Sequence, residues 1–304
     1  MATGPSSGNV RTPASSSPGA FSAVAMSKAT ESRGKYLNML IYGPHGAGKT
    51  TLLGSAADVE SMNDILLVTA EGGSIVFEDN DRIDHIDGIA MIKIDRIEQF
   101  QKVYEWVKFH CDARDRGDDK KLKELQDMIG LIHPDGEDGI FRFHTVIVDS
   151  LSEIEAYNLS KILNLDALGL DAGDDMEVAG FPQFRKNMHI MQRIVRQFRD
   201  LPIHCLMTCA QAYSQDERKA FHYGPKLTGQ LTGIIQGFFD IVGWLVPNSQ
   251  DVDPKTGVAR RRLFVQPQTA PKADAKCRLA SFKSDFFDNP VMADIMQQTG
   301  FTKK

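Results

Sequence analysis

The sequence is poor in cysteine, lacks long hydrophobic runs and carries no strong net charge. Its 304 residues include four cysteines, none of them in a C-x-x-C pair, which argues against a disulfide scaffold and favours a reducing, cytoplasmic location. No apolar stretch approaches the roughly 18 residues that a membrane helix requires. The formal net charge is −5, so a nucleic-acid partner would have to meet a local basic patch.

One group of metal-binding residue types stands close together, namely His204, Cys205 and Cys209. These residues lie within the apolar run PIHCLMTCA, which is typical of a buried strand. We therefore expect them to be core residues rather than metal ligands.

The amino-terminal segment differs in composition from the rest of the chain. Residues 1–34 are rich in Ser, Ala, Gly and Pro and show no hydrophobic period. We expect a flexible tail, because such a segment cannot bury enough apolar surface to offset its ordering entropy. It has too few arginines for an organelle transit peptide and no apolar core for export. Residues 35–304 are expected to form one domain.

Short apolar runs then alternate with stretches of helical spacing. Strands are predicted over 36–42, 64–70, 89–94, 144–149 and 202–210, and helices after Lys49, from Ile97, near 151–165 and over about 184–199. This alternation predicts βαβ units and a mainly parallel sheet, hence an α/β fold. The charged segment 112–139, with a helix at 120–131, is interpreted as a surface excursion. Two runs, 239–246 and 261–268, predict an antiparallel hairpin that extends the sheet, and a short helix is expected from Pro290 to Gly300.

Residues 43–50 read GPHGAGKT, a full match to the pattern G-x-x-x-x-G-K-[ST]. The glycines permit the tight backbone that points successive N–H groups at phosphates. Lys49 is expected to reach the β- and γ-phosphates, and the Thr50 hydroxyl to bind Mg²⁺. The predicted cofactors are thus ATP and Mg²⁺, with GTP as the alternative nucleotide. The expected nucleotide-binding residues are Gly43, Pro44, His45, Gly46, Ala47, Gly48, Lys49, Thr50 and Thr51.

Two carboxylates follow buried strands. Asp149 ends the run TVIVD and is expected to hold Mg²⁺ together with Thr50, with a helix N-cap as the alternative role. The next residue is Ser150, where AAA+ enzymes usually carry a catalytic glutamate. Glu71 ends a neighbouring parallel strand, and such strand ends converge on one edge of a sheet. Glu71 is therefore predicted to orient the attacking water, with a solvated loop acid as the alternative.

The combination of GPHGAGKTT, a strand ending in Glu71, VIVDSLSEI and a later strand ending in Gln211 resembles the RecA core. More narrowly, residues 36–285 resemble phage-encoded RecA-like ATP-binding proteins that include single-strand DNA annealing proteins. A phage origin implies that the protein is located in the cytoplasm of the host. The resemblance implies that Gln211 couples the state of the γ-phosphate to the adjacent loop. An ordinary polar residue at a strand end is the alternative.

The resemblance also implies a homo-oligomer, either a ring or a filament. Lys276 and Arg278 would reach from one subunit into the nucleotide of its neighbour, where a guanidinium can stabilise charge on the γ-phosphoryl oxygens. Two surface cations on an edge strand are the alternative interpretation.

Two regions are candidates for contact with DNA. Between Pro254 and Lys283, eight cations stand against the single acid Asp274, which is an electrostatic footprint for phosphates. The loop after Gln211 offers aromatic rings amid cations, which suits single strands, and the resemblance implies DNA contact there. Its candidate residues are Tyr213, Arg218, Lys219, Phe221 and Lys226, with Tyr223 nearby.

The helix predicted over 184–199 carries two faces. Phe184, Met188, Met191, Val195 and Phe198 recur at helical spacing and are expected in the core. A neighbouring basic stripe of Arg185, His189, Arg193 and Arg196 is interpreted as a solvated face or subunit contact rather than a DNA site.

The expected function is that of an ATP-binding and ATP-hydrolysing RecA-like protein that acts on single-stranded DNA in recombination, annealing or replication. A non-hydrolysing, nucleotide-dependent assembly factor is one alternative. A small-molecule kinase is another, which the acidic and Gly-rich character of 112–139 disfavours because a kinase needs an arginine-rich lid over its acceptor.

Overall fold

A computed structural model of the chain describes residues 36–71, 77, 82–165, 179–215, 219–254, 257, 259–279, 282 and 284–300. The predicted tail over 1–34 lies outside the described residues, as do Arg218, Lys255 and Lys283.

Strands and helices alternate through most of the described chain. The strands are β1 (Asn38–Gly43), β2 (Ile65–Thr69), β3 (Ile89–Lys93), β4 (Thr145–Asp149), β5 (His204–Gln215), β6 (Phe221–Pro225), β7 (Ile241–Val252), β8 (Ala259–Phe264), β9 (Gln268–Thr269), β10 (Lys272–Ala273), β11 (Lys276–Cys277) and β12 (Phe286–Asp288). The helices are α1 (Lys49–Gly54), α2 (Ile97–Arg116), α3 (Asp119–Met128), α4 (Leu151–Ile162), α5 (Phe181–Arg199), α6 (Leu231–Gln236) and α7 (Met292–Thr299).

The main sheet follows the order β12-β8-β7-β1-β5-β4-β2-β3. The strands from β7 to β3 in this order run parallel, whereas β8 and β12 are antiparallel to their neighbours. Strands β2 and β4 are buried along their whole length, as expected of parallel strands covered on both faces. The predicted α/β fold with a carboxyl-terminal antiparallel extension is confirmed.

Two hydrophobic clusters cover the two faces of the sheet. One contains residues of α2, α3, α4 and α5, and the other contains residues of α1 and α7. His204, Cys205 and Cys209 are buried in β5, as expected. His204 Nδ1 accepts a bond from the Leu37 amide at 2.9 Å, and burial lowers the pKa of His204 to about 4.

The segment 112–139 is in part a core element rather than a surface excursion. Helix α2 runs through Arg116, and α3 buries Leu122 and Leu125. Trp106 Nε1 donates to the Leu125 carbonyl at 2.9 Å. The charges that suggested an excursion lie on the outer face of an amphipathic helix. The part that follows α3 does lie at the surface, with Ile132 82% exposed.

Several other boundaries differ from expectation. β5 continues five residues beyond Ala210 and returns as β6, so the expected loop after Gln211 is a hairpin. Its polar outer half lacks the apolar run that marked its inner half. Helix α5 begins at Phe181, and Phe184, expected in the core, is 39% exposed because the buried residues of this helix begin only at Asn187. Within the described residues, no helix is long and apolar enough to cross a membrane.

Candidate nucleotide-binding site

The loop between β1 and α1 has the backbone that its glycines predict. Gly46 and Gly48 adopt φ values of 73° and 82°, which residues other than glycine rarely adopt. A Cβ at Gly43 would collide with the carbonyl oxygen of Leu245 on β7. The loop therefore requires glycine at all three positions.

The Lys49 ammonium group lies inside this loop. Its Nζ donates to the carbonyl oxygens of Gly43 at 3.1 Å and Pro44 at 3.0 Å. Burial lowers the pKa of Lys49, while the nearby charges of Asp149 and Glu71 act in the opposite direction. A half-buried cation with two carboxylates near it therefore stands at the carboxyl edge of the sheet.

Asp149 faces the phosphate loop from the end of β4. Its side chain is buried, and its Oδ2 accepts a hydrogen bond from Thr50 Oγ1 at 2.7 Å. Its Oδ1 accepts a short hydrogen bond from Thr208 Oγ1. Burial raises the pKa of Asp149, and the bonds from Thr208 and Thr50 lower it. The N-cap position of α4 belongs to Ser150, without a side-chain bond to the helix, so Asp149 does not cap α4.

Hydrogen bonds hold Glu71 at the same carboxyl edge of the sheet. Ser150 Oγ donates to Glu71 Oε1 at 2.6 Å, and the Glu71 backbone exchanges bonds with Thr69 Oγ1 at 2.6 and 3.1 Å. The side chain is half-buried, so Glu71 is not a freely solvated loop acid. Sequence reasoning missed Ser150 and Thr208 as partners of the two carboxylates, although both lie next to predicted features.

Gln211 stands beside the start of the phosphate loop. It follows Ala210, which pairs with Gly43 in the β1–β5 register. Trp244 Nε1 donates to Gln211 Oε1 at 2.7 Å, which orients the amide. The sequence contained no signal for this pairing, because it depends on β7 lying on the far side of β1 from β5.

Lys276 and Arg278 lie far from the phosphate loop of their own chain. The Arg278 amide donates to Asp240, whose own amide donates to Asn38 at the start of β1. Arg278 therefore lies level with Asn38, and β1 rises by about 17 Å over the five residue steps from Asn38 to Gly43. Lys276 Nζ and Arg278 Nη2 donate instead to the carbonyls of residues 236 and 237 at the end of α6.

The described cations between Pro254 and Lys283 do not form the single patch that we expected. On β8, Arg260 lies 3.5 Å from Asp251, and Arg262 lies 2.7 Å from Asp288. Arg261 points to the phosphate loop, where a Cβ at Gly48 would collide with its guanidinium. The charges are adjacent in sequence, but strand alternation and the turn to β11 separate them in space.

The β5–β6 hairpin presents aromatic rings to solvent. Tyr213 is 70% exposed and Phe221 is 44% exposed, with ring centroids 5.8 Å apart. The ring contacts continue through Tyr223 to Trp244 at 6.3 and 5.4 Å. Three exposed lysines lie on or beside the hairpin, namely Lys219, Lys226 and Lys272.

The fold and this site define a P-loop protein with a RecA-like core. The sequence profile of the AAA domain family matches residues 35–279, and the chain belongs to this family. No curated protein sequence matches the chain significantly.

Among solved structures, the chain is similar to the flagellar accessory protein FlaH from Methanocaldococcus jannaschii, with 12% identity and a TM-score of 0.36 over 85% of this chain and 91% of that one. It is also similar to the RadB recombinase, with 14% identity and a TM-score of 0.34 over 76% of this chain and 80% of that one. Both likenesses are too distant to assign a role to any residue here.

Proposed function

We propose that this protein is a magnesium-dependent ATPase. The observation that carries the proposal is the meeting of Thr50 with Asp149 at 2.7 Å, while Glu71 lies one hydrogen bond from the adjacent Ser150. A hydroxyl and a carboxylate are hard oxygen ligands of the kind that Mg²⁺ takes. Bound there, the metal would neutralise charge on the β- and γ-phosphates.

The positions of three other residues support a role for each in this proposal. Lys49 exchanges the loop carbonyls for phosphate oxygens, to which an ammonium donates more strongly. Glu71 orients the attacking water, and Ser150 holds its carboxylate in place. Gln211, with its amide oxygen fixed by Trp244, keeps two N–H donors for a phosphate or a water.

Replacing Glu71 with glutamine separates hydrolysis from binding. We expect Glu71→Gln to bind ATP with Mg²⁺ as tightly as the wild type, with turnover lowered by about 10²- to 10⁴-fold because the general base is lost. Equilibrium binding of a fluorescent ATP analogue and phosphate release measure the two properties. Glu105→Gln, an exposed change on α2, is the matched control and should leave both unchanged.

The same experiment decides between the candidate functions. Undiminished turnover in Glu71→Gln would contradict the assigned base, and an absence of phosphate release in the wild type would favour a nucleotide-dependent assembly factor. Transfer of phosphate to an acceptor other than water would favour a kinase.

We propose single-stranded DNA as the partner of this ATPase, with the β5–β6 hairpin as its contact. The exposed rings of Tyr213 and Phe221, together with Lys219, Lys226 and Lys272, support this assignment. Rings stack on bases of any sequence, and the lysines meet phosphates. Arg218, the remaining candidate, lies outside the described residues.

Alanine substitution of the two exposed rings tests the DNA contact. We expect Tyr213→Ala and Phe221→Ala each to weaken binding of an oligo(dT) strand by about 5- to 150-fold, the equivalent of one lost stacking partner. Fluorescence anisotropy measures the affinity. Phe109→Ala removes a ring that is 59% exposed on α2 and should have no effect. If all three variants bind oligo(dT) as tightly as the wild type, Tyr213 and Phe221 do not stack on DNA and the proposed contact is wrong.

A further inference from the structure

Three consecutive arginines on β8 face different surroundings. Arg260 is paired with Asp251, and Arg262 with Asp288, with the Arg262 guanidinium also 4.2 Å from the centroid of the Phe286 ring. Side chains alternate along a strand, so Arg261 shares a face with Leu263. Leu263 belongs to the hydrophobic cluster that also contains Ala47 of the phosphate loop. Only the middle arginine is directed towards that loop.

The Arg261 guanidinium lies against the backbone of the phosphate loop. A Cβ at Gly48 would overlap with its Cζ and Nη1 atoms, and Gly48 directly precedes Lys49. The side chain is half-buried. Glycine at this position therefore serves two needs, since it allows a φ of 82° and leaves room for the guanidinium.

No carboxylate of the described residues neutralises this cation. Its backbone carbonyl accepts from the Asn289 amide at 2.6 Å, and Asn289 Oδ1 accepts from Arg82 at 3.1 Å. A second cation therefore lies close by. Burial, followed by the charge of Arg82, lowers the pKa of Arg261, although a guanidinium stays protonated in proteins. A half-buried charge of this kind is costly unless an anion meets it.

We infer that Arg261 binds a phosphate group of the nucleotide, from within the same subunit that supplies Lys49. The inference rests on the proposed nucleotide site and adds a residue to it. A planar guanidinium can hold two phosphate oxygens at once, and its position beside Gly48 is next to the amides that the loop directs at phosphates. Arg261 is thereby a nucleotide-binding residue and not part of a DNA footprint.

Binding measurements on a ligand series test this role without relying on turnover. Arg261→Met retains much of the apolar stem and removes the charge. We expect it to weaken ATP and inorganic tripolyphosphate to a similar degree, by about 10- to 100-fold, the value of a lost bond to a charged group. The affinities of Arg261→Lys should lie between those of the wild type and Arg261→Met, because lysine keeps the charge but lacks the planar guanidinium that holds two oxygens. Arg262→Met is the matched control and should bind both as the wild type does.

The outcomes are distinguishable. If Arg261→Met binds ATP with wild-type affinity, the inference is wrong. If ATP binding weakens while tripolyphosphate binding does not, Arg261 contacts the nucleoside instead, and the phosphate assignment is overturned. A thermal unfolding transition shows that each variant is folded. If Arg261→Met does not fold, Arg261→Lys takes its place in the comparison. Absence of ATP binding by the wild type would overturn the proposed function itself, and the inference with it.

Discussion

At the residue scale, Asp149 stands out because both of its carboxylate oxygens are already engaged by hydroxyl groups. Thr50 belongs to the loop that would hold the phosphates, and Thr208 belongs to β5, which lies between β1 and β4. Thr208 is fully buried. It therefore holds the carboxylate in position, and the oxygen that bonds to Thr50 is the one that would face the proposed Mg²⁺.

This arrangement predicts a pH dependence for magnesium binding. The pKa of Asp149 is raised by burial and lowered by its bonds to Thr208 and Thr50. Mg²⁺ requires the ionised carboxylate, so its affinity falls as the pH drops through that pKa. Thr208→Val removes one bond that favours the ionised form, which raises the pKa further. The loss of affinity should then begin at higher pH.

Titrations of Mg²⁺ in the presence of an ATP analogue, from neutral to mildly acidic pH, measure this shift. At the acidic end we expect Thr208→Val to bind Mg²⁺ about tenfold more weakly than the wild type, given the strength of a bond to a charged group. Thr145→Val is the control, because Thr145 is equally buried but donates to the Met62 carbonyl. Identical pH profiles for the two variants would show that Thr208 does not tune the carboxylate.

Site residues that belong to a contiguous pattern or end a recognisable buried strand were predictable, and those whose positions depend on the order of strands in the sheet were not. The phosphate loop with Lys49 and Thr50 is a contiguous pattern, and Asp149 ends a recognisable buried strand. Thr208 and Arg261 gave no such signal. Their positions follow from the order of strands in the sheet, which a single sequence does not encode in any local pattern.

At the scale of elements, we propose that Gln211 couples the phosphate loop to the β5–β6 hairpin. Gln211 lies at the loop and in the hairpin strand, and its amide bonds to Trp244. Trp244 stacks on Tyr223 of the hairpin at 5.4 Å. A change at the γ-phosphate that turns the Gln211 amide would therefore reach the hairpin in two contacts.

The chain has two tryptophans, so Trp244 can report this link. In Trp106→Phe, Trp244 is the sole indole, and we expect addition of ATP and Mg²⁺ to change its fluorescence emission because its hydrogen bond to Gln211 changes. In Trp244→Phe, the remaining Trp106 donates to Leu125 on α3 and should not respond. A response confined to Trp244→Phe, or none in Trp106→Phe despite nucleotide binding, would contradict the link.

Strands with a continuous apolar run and helices with a clear apolar stripe were predictable, whereas a polar strand extension and the burial of a highly charged helix were not. The buried strands β2 and β4 fall within one residue of their predicted bounds. The outer half of β5 was missed, because it is polar. Helix α3 was predicted over 120–131 but was assigned to the surface, because its exposed side is charged. Leu122 and Leu125 are the apolar residues that bury one side of α3 in the core, and two such residues among many charges do not indicate burial.

At the scale of the whole molecule, two groups of candidate site residues lie at opposite ends of the parallel strands. The phosphate loop lies at the carboxyl edge of the parallel strands, and Lys276 and Arg278 lie towards the opposite edge. The same two surfaces of different subunits can meet only in a head-to-tail interface, which generates a ring or a filament. We propose this homo-oligomer as the active form, although both cations also satisfy carbonyls at the end of α6.

Mixing two inactive variants distinguishes these roles of the cations. Lys49→Ala lacks a working phosphate loop, and Arg278→Ala lacks the proposed cation donated to a neighbour, so each variant alone should show little turnover. In an equal mixture that exchanges subunits, about a quarter of the interfaces join an intact loop to an intact cation, and ATPase activity should recover accordingly. Recovery also shows that both variants fold.

A mixture of wild type with the double variant Lys49→Ala, Arg278→Ala calibrates the exchange. If Arg278→Ala alone retains full turnover, or if the mixture stays inactive while the calibration mixture shows exchange, Arg278 caps α6 and takes no part in a neighbouring site.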